Sequence, residues 1–199
     1  MGFDDIKMYH MNKLKDALRK NLVDEPIIDL LNTINDSKDY FTTSSCAGRI
    51  VLMKIPKSGK KNEAEFLFKS HYPVNSKDIW NTLLENYHKF EEKIYFKQEP
   101  FILHIAARDI KKAHNLLQIA IESGLKHSGI FAIKKDRVMI EIQSTERIET
   151  IVSKNRKILV NEDYINVLVE EANEKLMRTR EKMYKFQKNF IRFLKWVQE

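Results

Sequence analysis

The stretch that decides the fold class is Phe131-Ala132-Ile133-Lys134-Lys135-Asp136-Arg137-Val138-Met139-Ile140-Glu141-Ile142-Gln143. Val138, Ile140 and Ile142 alternate with Met139, Glu141 and Gln143, the period of a strand with one face buried. Phe131 to Lys134 supplies the partner arm, joined around Lys135 and Asp136, so the stretch reads as an antiparallel hairpin. Arg49 to Ile55 and Ala64 to Ser70 read as another, joined by a turn that Pro56, Ser58 and Gly59 punctuate. Asp39 to Thr43, Lys93 to Gln98, Pro100 to Ala107 and Arg147 to Val152 read as further strands. Helical periodicity covers Phe3 to Leu22 and resumes after Pro26, which suits a first turn. Ser76 with Asp78 is expected to cap a helix running to about Phe90, and Asp109 one over Ile110 to Ser123 that Gly124 closes. Asn161 caps a last helix of about 36 residues, with no Pro or Gly to the end. Helices and hairpins alternate without a strand-helix-strand repeat. The expected class is therefore α+β, a mainly antiparallel sheet flanked by helices, non-Rossmann, with a long C-terminal helix. Residues 1–160 are expected to form one domain, with 161–199 packed on it.

A chain of 199 residues can bury a substantial core, since folding at this size removes about 70% of the extended surface. The single cysteine, Cys46, excludes a disulfide framework within the chain and a zinc site built on paired thiolates. No metal is expected. No apolar run is long enough to cross a membrane and the N-terminus lacks a signal-peptide core, so a soluble cytoplasmic protein without a membrane partner is expected. The five glycines form neither GxGxxG nor a Walker loop. Backbone amides that cradle a pyrophosphate need such spacing, which disfavours a dinucleotide site and a P-loop NTPase.

Charge is strongly localised. Between Lys175 and Lys195 lie eight basic residues and one acid, Glu181, so this segment carries the whole formal excess of +7. Such asymmetry is the footprint of a nucleic-acid or membrane-surface partner, although a solvated helix face carries cations near its C-terminus as well. Phe186, Phe190 and Phe193 share the apolar stripe of this helix, which makes them core or docking residues rather than base-stacking platforms.

Thr42-Thr43-Ser44-Ser45-Cys46-Ala47-Gly48-Arg49 is a run of small, hydroxyl-rich residues ending in Gly48 and a guanidinium. Successive amides in such a run can form an anion-binding nest, and Arg49 offers a fork for a carboxylate or phosphate. The alternative is a tight corner rich in side-chain-to-backbone bonds. Tyr40 through Ile50 resembles the YFTTSSCSGRI signature of the wybutosine-synthesis methyltransferase family, which modifies phenylalanine tRNA; Ala47 replaces the fourth serine. The resemblance continues through Val23-Asp24-Glu25-Pro26-Ile27 and Phe68-Lys69-Ser70-His71. It extends over Glu99 to Ile105 with Arg108, and through Gly124 with Ser128-Gly129-Ile130. Tyr72 stands where the family usually has an acid.

The resemblance implies a SAM-dependent methyltransferase: S-adenosyl-L-methionine as donor, and a ring nitrogen of the tricyclic wyosine-type base beside the anticodon of phenylalanine tRNA as acceptor. Residues 1–160 then form the catalytic domain. It implies Ser44, Ser45, Gly48 and Arg49 as one wall of the site, holding the donor's carboxylate or the substrate's acidic arm, with His71, Ser128 and Gly129 as further donor-binding positions. His104, which alternates with Ile102 and Ala106 and by pattern alone is a core histidine, becomes a base or orienter. Asp24, by pattern an N-cap, becomes an alternative base. Cys46 is a small packing residue. Lys13, Arg108, Arg178, Lys182, Lys185 and Lys188 are expected to meet tRNA. A non-catalytic tRNA-binding module and a helix-mediated scaffold are the competing readings.

Overall fold

The computed structural model describes residues 2–56 and 63–198. Along the chain these form α1 (Phe3–Arg19), a 3-10 turn (Glu25–Ile27), α2 (Ile28–Asn35), β1 (Tyr40–Cys46), β2 (Arg49–Ile55) and β3 (Glu65–Ser70). α3 (Ser76–Asn86), a 3-10 turn (Tyr87–Lys89), β4 (Lys93–Glu99), β5 (Ile102–Ala107) and α4 (Ile110–Glu122) follow. The chain continues with β6 (Gly129–Ile133), β7 (Val138–Gln143), β8 (Ile148–Lys154), β9 (Lys157–Ile158) and α5 (Glu162–Gln198). The class is α+β as expected, but the strands form two antiparallel sheets instead of one, in the orders β1-β5-β7-β6 and β3-β2-β4-β8-β9. Two compact units contain them. The first comprises Met1–Ala47, Phe101–Thr145 and Thr179–Glu199; the second comprises Gly48–Pro100 and Glu146–Arg178.

In the first unit, strand alternation sends Tyr40, Leu103, Ile105, Ile140 and Ile142 to one sheet face. There they pack with Leu30, Leu31 and Ile34 of α2, Leu116 and Ala120 of α4, and Met183, Phe186 and Phe190 of α5. The opposite face buries Phe41, Ala106 and Met139 beneath Phe3 of α1. Arg108 pins α1 there: its guanidinium lies 4.2 Å from the Phe3 ring centre and pairs with Asp4 at 2.6 Å and Asp39 at 3.1 Å. Burial alone would raise the Asp39 carboxyl, but Lys112 and Arg108 beside it hold it below its ordinary value.

In the second unit, Ile50, Leu52, Ile94, Phe96 and Val152 face Ile79 and Leu83 of α3 and Ile165, Val169, Ala172 and Leu176 of α5. Asn173 clasps the backbone of Val74 with two hydrogen bonds of 2.9 Å, one accepted and one donated.

Several local expectations hold. Asp109 accepts from the Lys112 N–H at 2.8 Å, Asn161 from the Tyr164 N–H at 2.9 Å, and Gly124 closes α4 at φ 87°. Others shift. Asn75, rather than Ser76 or Asp78, caps α3, which stops at Asn86 before the 3-10 turn. α1 ends at Arg19, before Asn21 takes φ 52°, a left-handed conformation that asparagine tolerates. β2 and β3 pair antiparallel as read, while residues 57–62 of their expected turn lie outside the described residues. The strand read as Asp39 to Thr43 continues to Cys46, because the hydroxyl run pairs with β5 instead of forming a corner.

The aromatic stripe of α5 is core at its centre. Phe186 and Phe190 are fully buried, and the Phe190 ring meets Tyr40 edge-on at 5.4 Å. Phe190→Ala should therefore cost about 3–5 kcal/mol, whereas Trp196→Ala, at an exposed position, should stay within about 0.5 kcal/mol. Denaturant midpoints at constant m-value would measure both.

Candidate active site

The site begins with a register irregularity in β1. Thr42 opposes Ile105 and Ser44 opposes His104, so Thr43 is the extra residue of a bulge, a device that re-aims side chains. Asn35 secures its start, accepting from the Thr42 N–H at 2.8 Å and donating to the Thr42 hydroxyl at 2.9 Å. One step across the sheet, His104 opposes Glu141. The three side chains are connected: Ser44 Oγ lies 3.0 Å from His104 Nδ1, and His104 Nε2 lies 2.8 Å from Glu141 Oε2. A carboxylate only accepts, so whenever the ring carries a single proton these contacts place it on Nε2, and Nδ1 accepts from the Ser44 hydroxyl. The His104 ring also sits 5.0 Å from that of Phe131.

A cavity of about 270 Å³ adjoins this row, walled by His10, Lys13 and Leu14 of α1 and by Thr43, Ser44 and Ser45 of β1. It lies just below the usual ~300–1,000 Å³ of small-molecule sites. Burial, then Arg137 and Lys13, push His10 below its ordinary pKa, favouring a neutral ring. Thr42, which also lines it, brings the hydroxyl-bearing residues of the wall to four beside Lys13, residue types suited to a carboxylate.

The end of β1 is fixed from both sides of Ala47. Its N–H donates to Asp24 Oδ2 at 2.8 Å, and its carbonyl accepts from Arg180, which is 7% exposed. Asp24 makes no side-chain cap to the 3-10 turn it precedes, so the N-cap expectation is replaced by a long-range bond. Gly48 follows at φ 81°, where glycine is unstrained.

Several of the remaining expected positions have structural partners. In the second unit, Arg49 Nε pairs with Glu99 at 2.5 Å with its guanidinium 4.7 Å from the Phe66 ring centre, and His71 Nδ1 lies 3.0 Å from the Gly48 carbonyl oxygen. Arg178 there is paired with Glu171 and Glu174. In the first unit, Ser128 donates to the Leu125 carbonyl at 2.7 Å and accepts from the Gln143 N–H at 3.2 Å. A Cβ at Gly129 would meet nothing within 4 Å, so nothing in the fold demands glycine there. Lys182 lays its aliphatic chain over Gly124, while Lys185 and Lys188 are exposed.

Sequence reasoning missed Glu141, Arg180 and His10. Glu141 stands on the polar side of its alternating strand, but only the pairing with β5 puts it against His104. Arg180 is indistinguishable by sequence from the solvated cations of its helix. Among the described residues no helix is long and apolar enough to cross a membrane, and no three His, Cys, Asp or Glu side chains gather as a metal-holding group.

The family model for Methyltransferase TYW3 matches residues 5–192. A Thermococcus sibiricus protein is 40% identical over 94% of this chain and 93% of its own. A Methanocaldococcus jannaschii protein is 40% identical over 91% and 93%. Both are named tRNA(Phe) 7-((3-amino-3-carboxypropyl)-4-demethylwyosine(37)-N(4))-methyltransferase. The solved PH1069 protein of Pyrococcus horikoshii superposes with a TM-score of 0.88 at 35% identity, covering 95% of this chain and 96% of that one. The fold is thus that of a methyltransferase family without a Rossmann domain. The chain belongs to the TYW3 methyltransferase family.

Asp24 and Arg180 should matter to folding through Ala47. Asp24→Ala strands a backbone N–H and should cost about 1–3 kcal/mol, whereas Asp24→Asn keeps an acceptor and should cost less; Arg180→Met should cost about 1.5–3 kcal/mol. Chemical denaturation of the three variants would check the ranking.

Proposed function

We propose that this chain uses S-adenosyl-L-methionine to methylate a ring nitrogen of the tricyclic wyosine-type base beside the anticodon of phenylalanine tRNA. The observation that carries the reading is family membership along nearly the whole chain, with relatives bearing that activity in their names. Ser44, on the wall of a hydroxyl-lined cavity and paired with His104 behind it, supports it. The donor supplies an already activated methyl group on a sulfonium, so the protein's main task is alignment. Alignment can contribute roughly 7–11 kcal/mol, whereas a general base adds about 10²–10⁴-fold. A shaped cavity beside one base is therefore sufficient apparatus.

Within the cavity, Lys13 and the Ser45 hydroxyl hold the donor's carboxylate, and the Ser44–His104 pair takes the proton of the attacking nitrogen. In the first unit, Lys185, Lys188 and Arg192 present exposed cations on α5 to the phosphates of the tRNA. Arg178, engaged by Glu171 and Glu174, contributes less.

Titration calorimetry with S-adenosylmethionine should show binding that Lys13→Ala weakens several-fold; no heat with the wild-type chain would refute donor binding. Reversing Lys185 and Lys188 to Glu should flatten the log–log salt dependence of tRNA binding by about 0.7–0.9 for each phosphate no longer neutralised. Phenylalanine tRNA from cells lacking the gene should carry a hypermodified base one methyl group lighter, read by mass spectrometry.

A further inference from the structure

We propose that Glu141 is a positioning residue for proton removal. It fixes the tautomer of His104 so that Nδ1 is the acceptor and Ser44 Oγ is the atom that collects the proton from the substrate. The inference rests on the methyl-transfer reading above and adds to it a residue and a route.

Geometry carries it. Ser44, His104 and Glu141 lie in one row across three neighbouring strands, in register. A site built on paired strands holds its side chains more closely than one built on loops. The two contacts use opposite nitrogens of the same ring, 3.0 Å at Nδ1 and 2.8 Å at Nε2. Which nitrogen carries the proton is set by the bond the other makes. With the carboxylate accepting from Nε2–H, the lone pair on Nδ1 faces the serine.

Exposure separates this arrangement from a core pair. α1 buries Phe41, Ala106 and Met139 on the same sheet face. The His104 and Glu141 side chains, one strand step farther along, keep 32% and 38% of their surface in contact with solvent. Phe131, 55% exposed, walls the histidine ring on one side. A histidine kept only for packing gains nothing from a solvent-facing carboxylate and an exposed aromatic neighbour.

The step balances in charge and atoms. The proton on the ring nitrogen passes to Ser44 Oγ as the serine's own proton passes to His104 Nδ1. The N–H electron pair stays on nitrogen, which gains the methyl carbon, and the old carbon–sulfur pair leaves with sulfur. The positive charge that leaves the sulfonium reappears on the imidazolium, opposite the Glu141 carboxylate.

Nitrogen-15 spectroscopy of histidine-labelled full-length protein gives a readout independent of turnover. Wild-type His104 should be a single Nε2–H tautomer, and Glu141→Gln should give a mixture. In steady-state methylation of tRNA, Glu141→Gln should lower kcat at least tenfold while KM for donor and tRNA stays within about twofold, inside the ~10²–10⁴-fold range of a general base. Glu141→Asp should recover part of kcat. An Nδ1–H tautomer in the wild type, a tautomer unchanged in Glu141→Gln, or an unchanged kcat would overturn the proposal and leave the methyl-transfer reading standing. Absence of methyl transfer by the wild-type chain would overturn both.

Discussion

Ala47 is gripped on both of its backbone polar groups, its N–H by the Asp24 carboxylate and its carbonyl by the buried Arg180 guanidinium. The alanine itself is fully buried, so water is not available to either group. Charged partners make such bonds roughly twice as strong as neutral ones. Their sources are distant in sequence: one residue precedes the turn before α2, the other lies deep in α5. The end of β1 is thereby tied to two separate elements of its unit. Everything upstream in that strand, including the bulge at Thr43 and the placement of Ser44 against His104, depends on that end staying in register. A slip of one residue would send Ser44 to the apolar face.

The first sheet uses its two faces differently. One is closed by three helices over a continuous apolar layer. The other is closed at one end only, where Phe3 and the Arg108 cluster seat α1 over Phe41, Ala106 and Met139. Half-covering a sheet leaves a bounded polar area whose floor is rigid because its other side is core. Side chains on such a floor have little further freedom to lose, and preorganisation of this kind is what alignment of reactants requires. The incomplete cover is thus part of what makes the face usable.

Much of this was legible in the sequence, and the reasons for the rest are physical. Capping at Asp109 and Asn161, the left-handed closure at Gly124 and the length of α5 are local properties, decided within a few residues. The α+β class followed from period and order. The division into two sheets did not, because pairing partners are set by contacts far apart along the chain. The hydroxyl run illustrates the limit. Composition makes Thr42 to Arg49 look like a corner, yet threonine is comfortable in extended backbone and β5 offers a partner, so the strand runs on to Cys46. His104 is ambiguous for the same reason. Alternation places it beside Ile102 and Ala106, but only the neighbouring strands show that its ring meets Ser44 on one side and Glu141 on the other.

The charge on α5 divides along similar lines. Formal counting treats Lys175 to Lys195 as one basic block, but the fold sorts its members by environment. Lys175 and Arg178 are neutralised by Glu171 and Glu174, Arg180 is buried on a carbonyl, and Lys182 lays its methylenes on Gly124. What remains exposed is the later part, from Lys185 through Arg192 to Lys195. Long-range attraction of a polyanion depends on cations that stay in solvent and unpaired, since paired or buried ones add little to the field outside. The residues that hold the first unit together and those left exposed to solvent therefore share one helix, yet different physical demands fixed them. Net charge alone cannot separate the two groups, whereas burial and ion pairing do.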